Sequence, residues 1–253
     1  MKVTFLGTGT SQGVPVIACD CSVCQSIDFR DKRTRSAIHI DIDGQSIVVD
    51  TGPDFRQQML RERIKSIDAV LFTHEHKDHT AGLDDIRSYN FKQKMDIPIY
   101  AHQRVIKQLK NEFAYIFAES KYPGVPRIDV HEIVNEDFTV NGVGISPIEV
   151  MHHKLPVFGF RINDFAYITD AKTIESEEKE KLKDLDILVI NALQKDSHIS
   201  HLTFEEAIEL AAEINATTTY FTHISHKLGR HRDTETQLPD NIKLAYDGLK
   251  IDC

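Results

Sequence analysis

The sequence predicts an α/β fold in which two mixed β-sheets pack face to face and helices cover their outer sides. Strand-like segments followed by helical segments occur twice along the chain, without a linker or internal repeat between them. With 253 residues, of which 41% are hydrophobic, the chain is long enough to bury a large core. We therefore expect a single domain over residues 1–253.

The predicted elements begin with a short apolar strand at 2–6, followed by a loop of small residues at 7–13 that lets backbone approach a ligand. Asp43-Gly44 is a two-residue hairpin signal between arms rich in β-branched residues. A continuous apolar strand at 67–72 leads directly into a cluster of histidines. Further strands are predicted at 37–41, 46–50, 98–101, 128–133, 144–150, 157–162, 165–169, 187–190 and 217–222, and helices at 55–64, 103–117, 176–182 and 204–214.

The histidine cluster His74-Glu75-His76-Lys77-Asp78-His79 combines imidazoles and carboxylates, which suit zinc, manganese or iron. His74 and His76 can face one side of an extended segment, while Asp78 and His79 begin the next turn and can face a second metal. A solvated loop with incidental histidines is the alternative. Further candidate ligands follow predicted strands, whose ends converge on one sheet edge: His152, Asp170 and His223.

A second candidate metal site is the segment Cys19-Asp20-Cys21-Ser22-Val23-Cys24. In a reducing compartment, three thiols within six residues favour a tetrahedral metal site over disulfides. His226, three residues beyond His223, is the best candidate for the fourth ligand. Three reduced cysteines on a loop are the alternative.

The order of the candidate ligands resembles the five successive motifs of the metallo-β-lactamase superfamily, and the resemblance covers nearly the whole chain. It implies a four-layer αβ/βα sandwich with two metal ions at the edge of the sheets. The implied ligands are His74, His76 and His152 for one metal and Asp78, His79 and His223 for the other, with Asp170 bridging. Asp50 in that family supports the site without binding metal.

Within the superfamily, the Cys-x-Cys-x-x-Cys segment and the histidine three residues after the last motif resemble phosphodiesterases of the PhnP type, which are related to ribonuclease Z. The match extends to loop 7–11 and to 154–160. This resemblance implies a structural zinc on Cys19, Cys21, Cys24 and His226, and it favours a homodimer.

The same resemblance implies that His201, just before the predicted helix capped by Thr203, assists phosphoryl chemistry without binding metal. A surface or capping histidine is the alternative. We expect the remaining histidines to be ordinary surface residues or neighbours of the ligands: His39, His102, His131, His153, His198 and His231.

The expected reaction is hydrolysis, because two adjacent cations lower the pKa of a water molecule and supply hydroxide at neutral pH. Asp78 is the candidate to orient or deprotonate this water, and His201 to stabilise the transition state or protonate the leaving group. Ser11 and Gln12 are candidates for substrate contact. Phosphodiesters fit because the predicted second site contains Asp and His and lacks Cys. Zinc and manganese both suit these ligands.

A formal net charge of −9 argues against binding long nucleic acid by phosphate neutralisation, and the exosite arm of ribonuclease Z has no counterpart. We therefore expect a small, cyclic, nucleotide-like phosphodiester as substrate. The alternatives are a thioester hydrolase resembling glyoxalase II and a metal-binding protein without turnover.

The N-terminal segment lacks the apolar stretch and cleavage site of a signal peptide, and no apolar run is long enough to span a bilayer. A cytoplasmic protein without membrane association is the expectation.

Overall fold

Two β-sheets form the centre of the structure, a computed structural model that describes residues 1–120 and 122–253. These residues form fourteen strands: β1 Lys2–Gly7, β2 Ala37–Ile42, β3 Gln45–Val49, β4 Ala69–Leu71, β5 Ile97–Ala101, β6 Ile128–Glu132, β7 Phe138–Val140, β8 Val143–His152, β9 Leu155–Ile162, β10 Phe165–Tyr167, β11 Ile187–Asn191, β12 Thr218–Thr222, β13 Ile242–Leu244 and β14 Lys250–Asp252. Their helices are α1 Phe55–Glu62, α2 Lys77–Thr80, α3 Arg87–Gln93, α4 Gln103–Glu112, α5 Ala114–Phe117, α6 Ser176–Glu180, α7 Phe204–Ile214 and α8 His231–Glu235.

Both sheets are mixed, as predicted. The first has the order β14-β1-β2-β3-β4-β5-β6 and the second the order β13-β12-β11-β10-β9-β8-β7. Strands β3 to β6 are parallel in the first sheet, and β10 to β13 are parallel in the second. Because parallel strands end at the same edge, the loops that follow β3, β4, β10 and β12 bring their residues together.

Three large apolar clusters lie between the four layers of the fold. The central cluster lies between the sheets and includes Phe5, Ile40, Phe160 and Tyr167, all at most 1% exposed. A second cluster packs the first sheet against α1 and α4, and a third packs the other sheet against α7. Each fully buried large side chain stabilises the fold by about 2 kcal/mol. The predicted αβ/βα sandwich is confirmed.

Two local predictions are also confirmed. Asp43 and Gly44 join β2 to β3 with φ values of 50° and 78°, the left-handed geometry of a tight hairpin turn. Thr203 caps α7 by accepting a hydrogen bond from the backbone N–H of Glu206, and the Glu206 carboxylate accepts one from the N–H of Thr203.

Other element predictions were wrong or incomplete. The helix predicted at 103–117 is interrupted at Phe113, whose φ of −115° and ψ of 41° are not helical. Five further elements were not predicted, because they are too short to give a clear periodic pattern: β7, β13, β14, α3 and α8. Within the described residues, every helix is too short or too polar to cross a membrane.

Candidate metal centre

The structure brings the seven predicted ligands to one edge of the sandwich. His74 follows β4, Asp78 and His79 lie in α2, and the other sheet contributes His152 at the end of β8, Asp170 after β10 and His223 after β12. Asp170 and His223 have φ values of 59° and 54°. Their backbones therefore turn sharply where the strands end, and their side chains stay at the edge.

Three imidazoles and one carboxylate surround the first part of the centre. The Nε2 atom of His74 lies 3.0 Å from Nδ1 of His76 and 4.0 Å from Oδ1 of Asp170. The ring centroids of His76 and His152 are 5.2 Å apart. His152 Nδ1 lies 2.9 Å from the carbonyl oxygen of Ser200, so Nδ1–H donates there and Nε2 is left to face the site.

The second part of the centre is built around His79. Its Nε2 atom lies 3.2 Å from Oδ2 of Asp78 and 3.3 Å from Oδ2 of Asp170. The same Asp170 oxygen is 3.3 Å from Nδ1 of His223. Oδ1 of Asp170 faces His74, while Oδ2 faces His79 and His223, so this carboxylate lies between the two parts of the centre.

Asp50 is fully buried and contacts the ring of His79 on the side that faces away from the centre. Its Oδ2 accepts hydrogen bonds from Nδ1–H of His79 at 2.7 Å and from the Thr73 hydroxyl at 2.8 Å. Its Oδ1 accepts from the Thr73 backbone N–H at 2.9 Å. This arrangement directs the other ring nitrogen of His79 into the centre, as a supporting carboxylate does at metal sites.

The charges of the centre favour a cation. Burial alone lowers the pKa of His79, but the carboxylates of Asp78, Asp170 and Asp50 raise it well above its ordinary value. Burial alone raises the pKa of Asp170, but His223 and His79 lower it well below the usual range. Carboxylates that stabilise a positive imidazole so strongly would also stabilise a metal ion.

The donor set fits divalent metals. Nε2 of His79 is buried and, among the described residues, lacks a hydrogen bond of acceptable geometry despite two carboxylate oxygens nearby. A buried nitrogen without a partner costs about 1–3 kcal/mol, and a metal ion at this point removes that cost. Imidazole and carboxylate donors suit zinc and manganese.

His201 lies directly beside the centre. Its Nδ1 atom is 3.9 Å from Oδ1 of Asp170, and its ring centroid is 4.5 Å from that of His152. Nδ1 is buried and without a hydrogen-bond partner in the described part of the chain. Burial lowers the pKa of His201 to about 3, so its imidazole is neutral at pH 7 and retains one N–H donor.

The predicted cysteine cluster also assembles. Nδ1 of His226 lies 3.3 Å from Sγ of Cys19, 3.4 Å from Sγ of Cys21 and 3.5 Å from Sγ of Cys24. Bonds of about 2.3 Å to sulfur and about 2.0 Å to nitrogen place the ligands of tetrahedral zinc roughly 3.5 Å apart, so the set fits this ion. A hydrogen bond from the Cys24 backbone N–H and the nearby His226 lower the pKa of Cys21 to about 6, which favours the thiolate that zinc binds.

The small-residue loop lies against the segment that joins the two groups of candidate metal ligands. Thr10 N–H donates to the carbonyl of Ile224 at 3.1 Å, and Ile224 N–H donates to the carbonyl of Thr8 at 2.8 Å. Ser11 and Gln12 are exposed and line a 250 Å³ cavity between the two sites. Three other residues that line this cavity were not predicted as site residues, although they lie close in sequence to His201 or His226: Gln194, His198 and Lys227.

Two histidines expected at the surface or beside ligands are buried elsewhere. His39 is 7% exposed and contacts the Ser46 hydroxyl at 2.8 Å, and His231 is 1% exposed and lies 3.1 Å from the Arg33 guanidinium. Neither belongs to the groups of candidate metal ligands.

Known proteins share this architecture. A family model described as the β-lactamase superfamily domain matches residues 45–224, which is more than half of the chain. The chain belongs to the metallo-β-lactamase superfamily. This chain is also 41% identical to a crystal structure described as a new diphosphatase from the PhnP family, with a TM-score of 0.93 over 100% of this chain and 97% of that one. The predicted family and subgroup are thereby confirmed.

Two other relatives extend the comparison. Zinc-bound PqqB from Methylobacterium extorquens has the same fold, with a TM-score of 0.81, 21% identity and 100% coverage of both chains. The present chain is 40% identical over 253 residues to an octanoyltransferase from Porphyromonas gingivalis, covering 99% of this chain and 51% of that protein. It therefore spans about half the length of that relative.

Proposed function

We propose that this hydrolase is a metal-dependent phosphodiesterase that acts on small, nucleotide-like phosphodiesters, including cyclic ones. The observation that carries the proposal is the convergence of seven donor side chains and the unpartnered Nδ1 of His201 at one sheet edge. The 41% identical structure of the PhnP family is described as a diphosphatase, which supports a phosphoryl substrate.

The ligand sets that we propose are His74, His76 and His152 for one ion, and Asp78, His79 and His223 for the other, with Asp170 between them. Zinc and manganese are both compatible with these donors. When bound, the ions would supply Lewis-acid activation of water and would neutralise phosphate oxygens. A third ion, zinc, would be held structurally by Cys19, Cys21, Cys24 and His226.

The protein's own groups have separate tasks in this proposal. Asp78 orients the attacking water by accepting a hydrogen bond from it, since its carboxylate stands at the centre and His79 keeps this carboxylate ionised by lowering its pKa against the effect of burial. Asp50 fixes the orientation of His79. The neutral imidazole of His201 donates a hydrogen bond from its N–H to a phosphate oxygen as negative charge develops there. Because its low pKa keeps the ring neutral, His201 is better suited to donate this hydrogen bond than to transfer a proton.

The negative net charge of the chain favours a small substrate over a long polyanion. The chain carries a formal net charge of −9, so long-range attraction of a polyanion is unfavourable. Local cations at the centre can still attract one or two phosphate groups.

Hydrolysis of an acyl thioester is the second candidate. The octanoyltransferase relative supports this candidate, because its name indicates a reaction of an acyl group. This chain matches about half of that protein. Phosphodiester hydrolysis remains the first choice because a phosphodiester has two non-bridging oxygens, which the proposed ions and His201 can share. A thioester carbonyl offers a single oxygen.

A substrate panel tests the proposal. Metal-loaded protein should hydrolyse bis-p-nitrophenyl phosphate and 2′,3′-cyclic AMP faster than a glutathione thioester, and Asp78→Asn should abolish the phosphodiesterase activity. Faster thioester hydrolysis would support the second candidate. Failure to turn over any of these substrates, with the metals bound, would contradict the proposed activity and favour a binding protein.

A further inference from the structure

Loop 74–79 has two faces, and only one of them belongs to the metal centre. Its candidate ligands alternate with two charged side chains, Glu75 and Lys77, which contact helix α4. Oε1 of Glu75 accepts a hydrogen bond from Nε–H of Arg104 at 2.6 Å. Nζ of Lys77 lies 2.6 Å from Oε2 of Glu112. The charges on α4 are therefore opposite to those of the loop at both contacts.

Arg104 also reaches the second sheet. While its Nε–H donates to Glu75, its Nη2–H donates to the backbone carbonyl of Pro156 in β9. Pro156 pairs with the residue that precedes the proposed ligand His152 in β8. One guanidinium group therefore connects loop 74–79 to the hairpin of β8 and β9, which carries His152.

This connection is largely shielded from water. The side chain of Glu75 is 17% exposed and that of Arg104 is 32% exposed. Oε2 of Glu75 is buried and lacks a hydrogen-bond partner within the described residues, so the carboxylate is held through its contact with Arg104. A planar guanidinium presents its donors at fixed angles, and two bonds from it fix the relative position of their acceptors.

A backbone contact joins the same two segments nearby. The N–H of Phe158 in β9 donates to the carbonyl of Thr73 at 3.1 Å, directly before the loop. This bond fixes the start of the loop against β9. Arg104 adds a second point of attachment at Glu75, between the two histidines of the loop.

The pair formed by Lys77 and Glu112 has the same separation but a different setting. Lys77 is 68% exposed, and the pair joins the loop to α4 rather than to the second sheet. Water screens an exposed ion pair, so such a pair contributes little. Lys77 is therefore a matched comparison for Arg104, because both pairs join the same loop to the same helix.

We propose that Arg104 is a positioning residue for the first metal ion. The first ion is the one that we assign to His74, His76 and His152. By binding Glu75 and the backbone of β9 at once, Arg104 keeps the two histidines of the loop at the distance from His152 that one ion can span. This inference rests on the proposed function only through that ligand set, and Arg104 itself touches neither metal nor substrate.

Metal affinity tests the proposal. Zinc titration against a competing chelator would give the two dissociation constants of the metal centre, and His152→Ala would identify the one that belongs to the first ion. Loss of a group that orients metal ligands weakens binding by about tenfold or more, so Arg104→Met should raise the first Kd by this factor and the second Kd less. Lys77→Met should leave both nearly unchanged. An unchanged first Kd in Arg104→Met, an equal rise in both constants, or an equal effect of Lys77→Met would overturn the assignment.

Glu75→Met separates the connection from the charge. Because Glu75→Met and Arg104→Met break the same connection, each should raise the first Kd by a similar factor, and the double variant should raise it no further. If Arg104 only neutralised a buried carboxylate, the double variant would recover the wild-type affinity, and the proposal would be rejected. Glu75→Met also provides the test if Arg104→Met does not fold.

Urea unfolding of the same proteins distinguishes positioning from general stabilisation. A lower free energy of unfolding with an unchanged first Kd would show that Arg104 only stabilises the fold. The Kd values are measured without substrate. A wild type that binds both ions but hydrolyses no phosphodiester would therefore reject the proposed function, and the Kd values would still decide the role of Arg104. A wild type that binds no ion at this centre would reject both.

Discussion

His201 shows how burial determines what a single residue can do. The ring is only 8% exposed and packs among the imidazoles of His152, His198 and His223. Burial keeps it neutral at pH 7, so it is suited to donate a hydrogen bond and poorly suited to release a proton.

Replacement of His201 by alanine should therefore slow phosphodiester hydrolysis without releasing the metals. Removing one hydrogen-bond donor that stabilises the negative charge of the transition state lowers kcat roughly 100-fold. We expect this effect for His201→Ala. Steady-state kinetics and metal analysis on the same samples would measure both effects. His131→Ala is the control, because His131 lies on β6 and is paired with Asp129 away from the centre. An unchanged rate, or loss of metal from His201→Ala, would remove His201 from this role.

His39 allows a pH prediction that is independent of the metals. Burial lowers its pKa from 6.5 to about 4, so the unfolded chain binds more protons than the folded chain between these values. Stability from the neutral ring is therefore complete above pH 6.5 and is lost as the pH falls towards 4.

Urea unfolding of zinc-loaded wild type and His39→Gln at two pH values would measure this effect. Between pH 7 and pH 5, the wild type should lose about 2 kcal/mol more unfolding free energy than the variant. The same loss in both proteins would show that His39 does not titrate between the two states.

At the scale of elements, the second part of the metal centre, around His79, depends on a close backbone contact. The Thr51 N–H donates to the carbonyl of His79 at 2.8 Å, and the Gly82 N–H donates to the carbonyl of Thr51 at 2.7 Å. A Cβ atom on Gly52 would lie 2.2 Å from the carbonyl oxygen of Asp78. Glycine at 52 is therefore what lets α2 sit against the end of β3.

Substituting Gly52 by alanine should displace α2 together with Asp78 and His79. We expect the proposed pair of metal ions to bind at least about tenfold more weakly, because substitutions that misorient metal ligands reduce metal affinity by about this factor. Competition with a chelator would measure it. Gly144→Ala on β8 is the matched control, because a Cβ atom there meets nothing within 4 Å. Equal metal affinity in the two variants would contradict the expected displacement.

The sequence predicted those features that have a local chemical or periodic signal. His74 and Asp170 could be placed because each follows a strand, and strand ends meet at one edge. The three-residue strand β13 and the break at Phe113 have no such signal, since both depend on contacts with distant segments. Lys227 belongs to no motif, and its place in the cavity follows from packing of the Ser11 loop against Ile224.

At the scale of the whole molecule, the metal centre joins the two halves of the sandwich. Asp50 and His74 follow strands of the first sheet, whereas His152, Asp170 and His223 come from the second. Neither sheet alone supplies a complete set of donors for the two ions that we propose. Binding of the ions to the folded chain should therefore stabilise the docking of the two sheets.

Anomalous diffraction from crystals of zinc-loaded protein would locate the metal ions. We expect two adjacent peaks at the sheet edge on either side of Asp170, and a third peak among Cys19, Cys21, Cys24 and His226. Zinc-loaded crystals without a pair of peaks beside Asp170 would show that the two sheets do not together hold two metal ions.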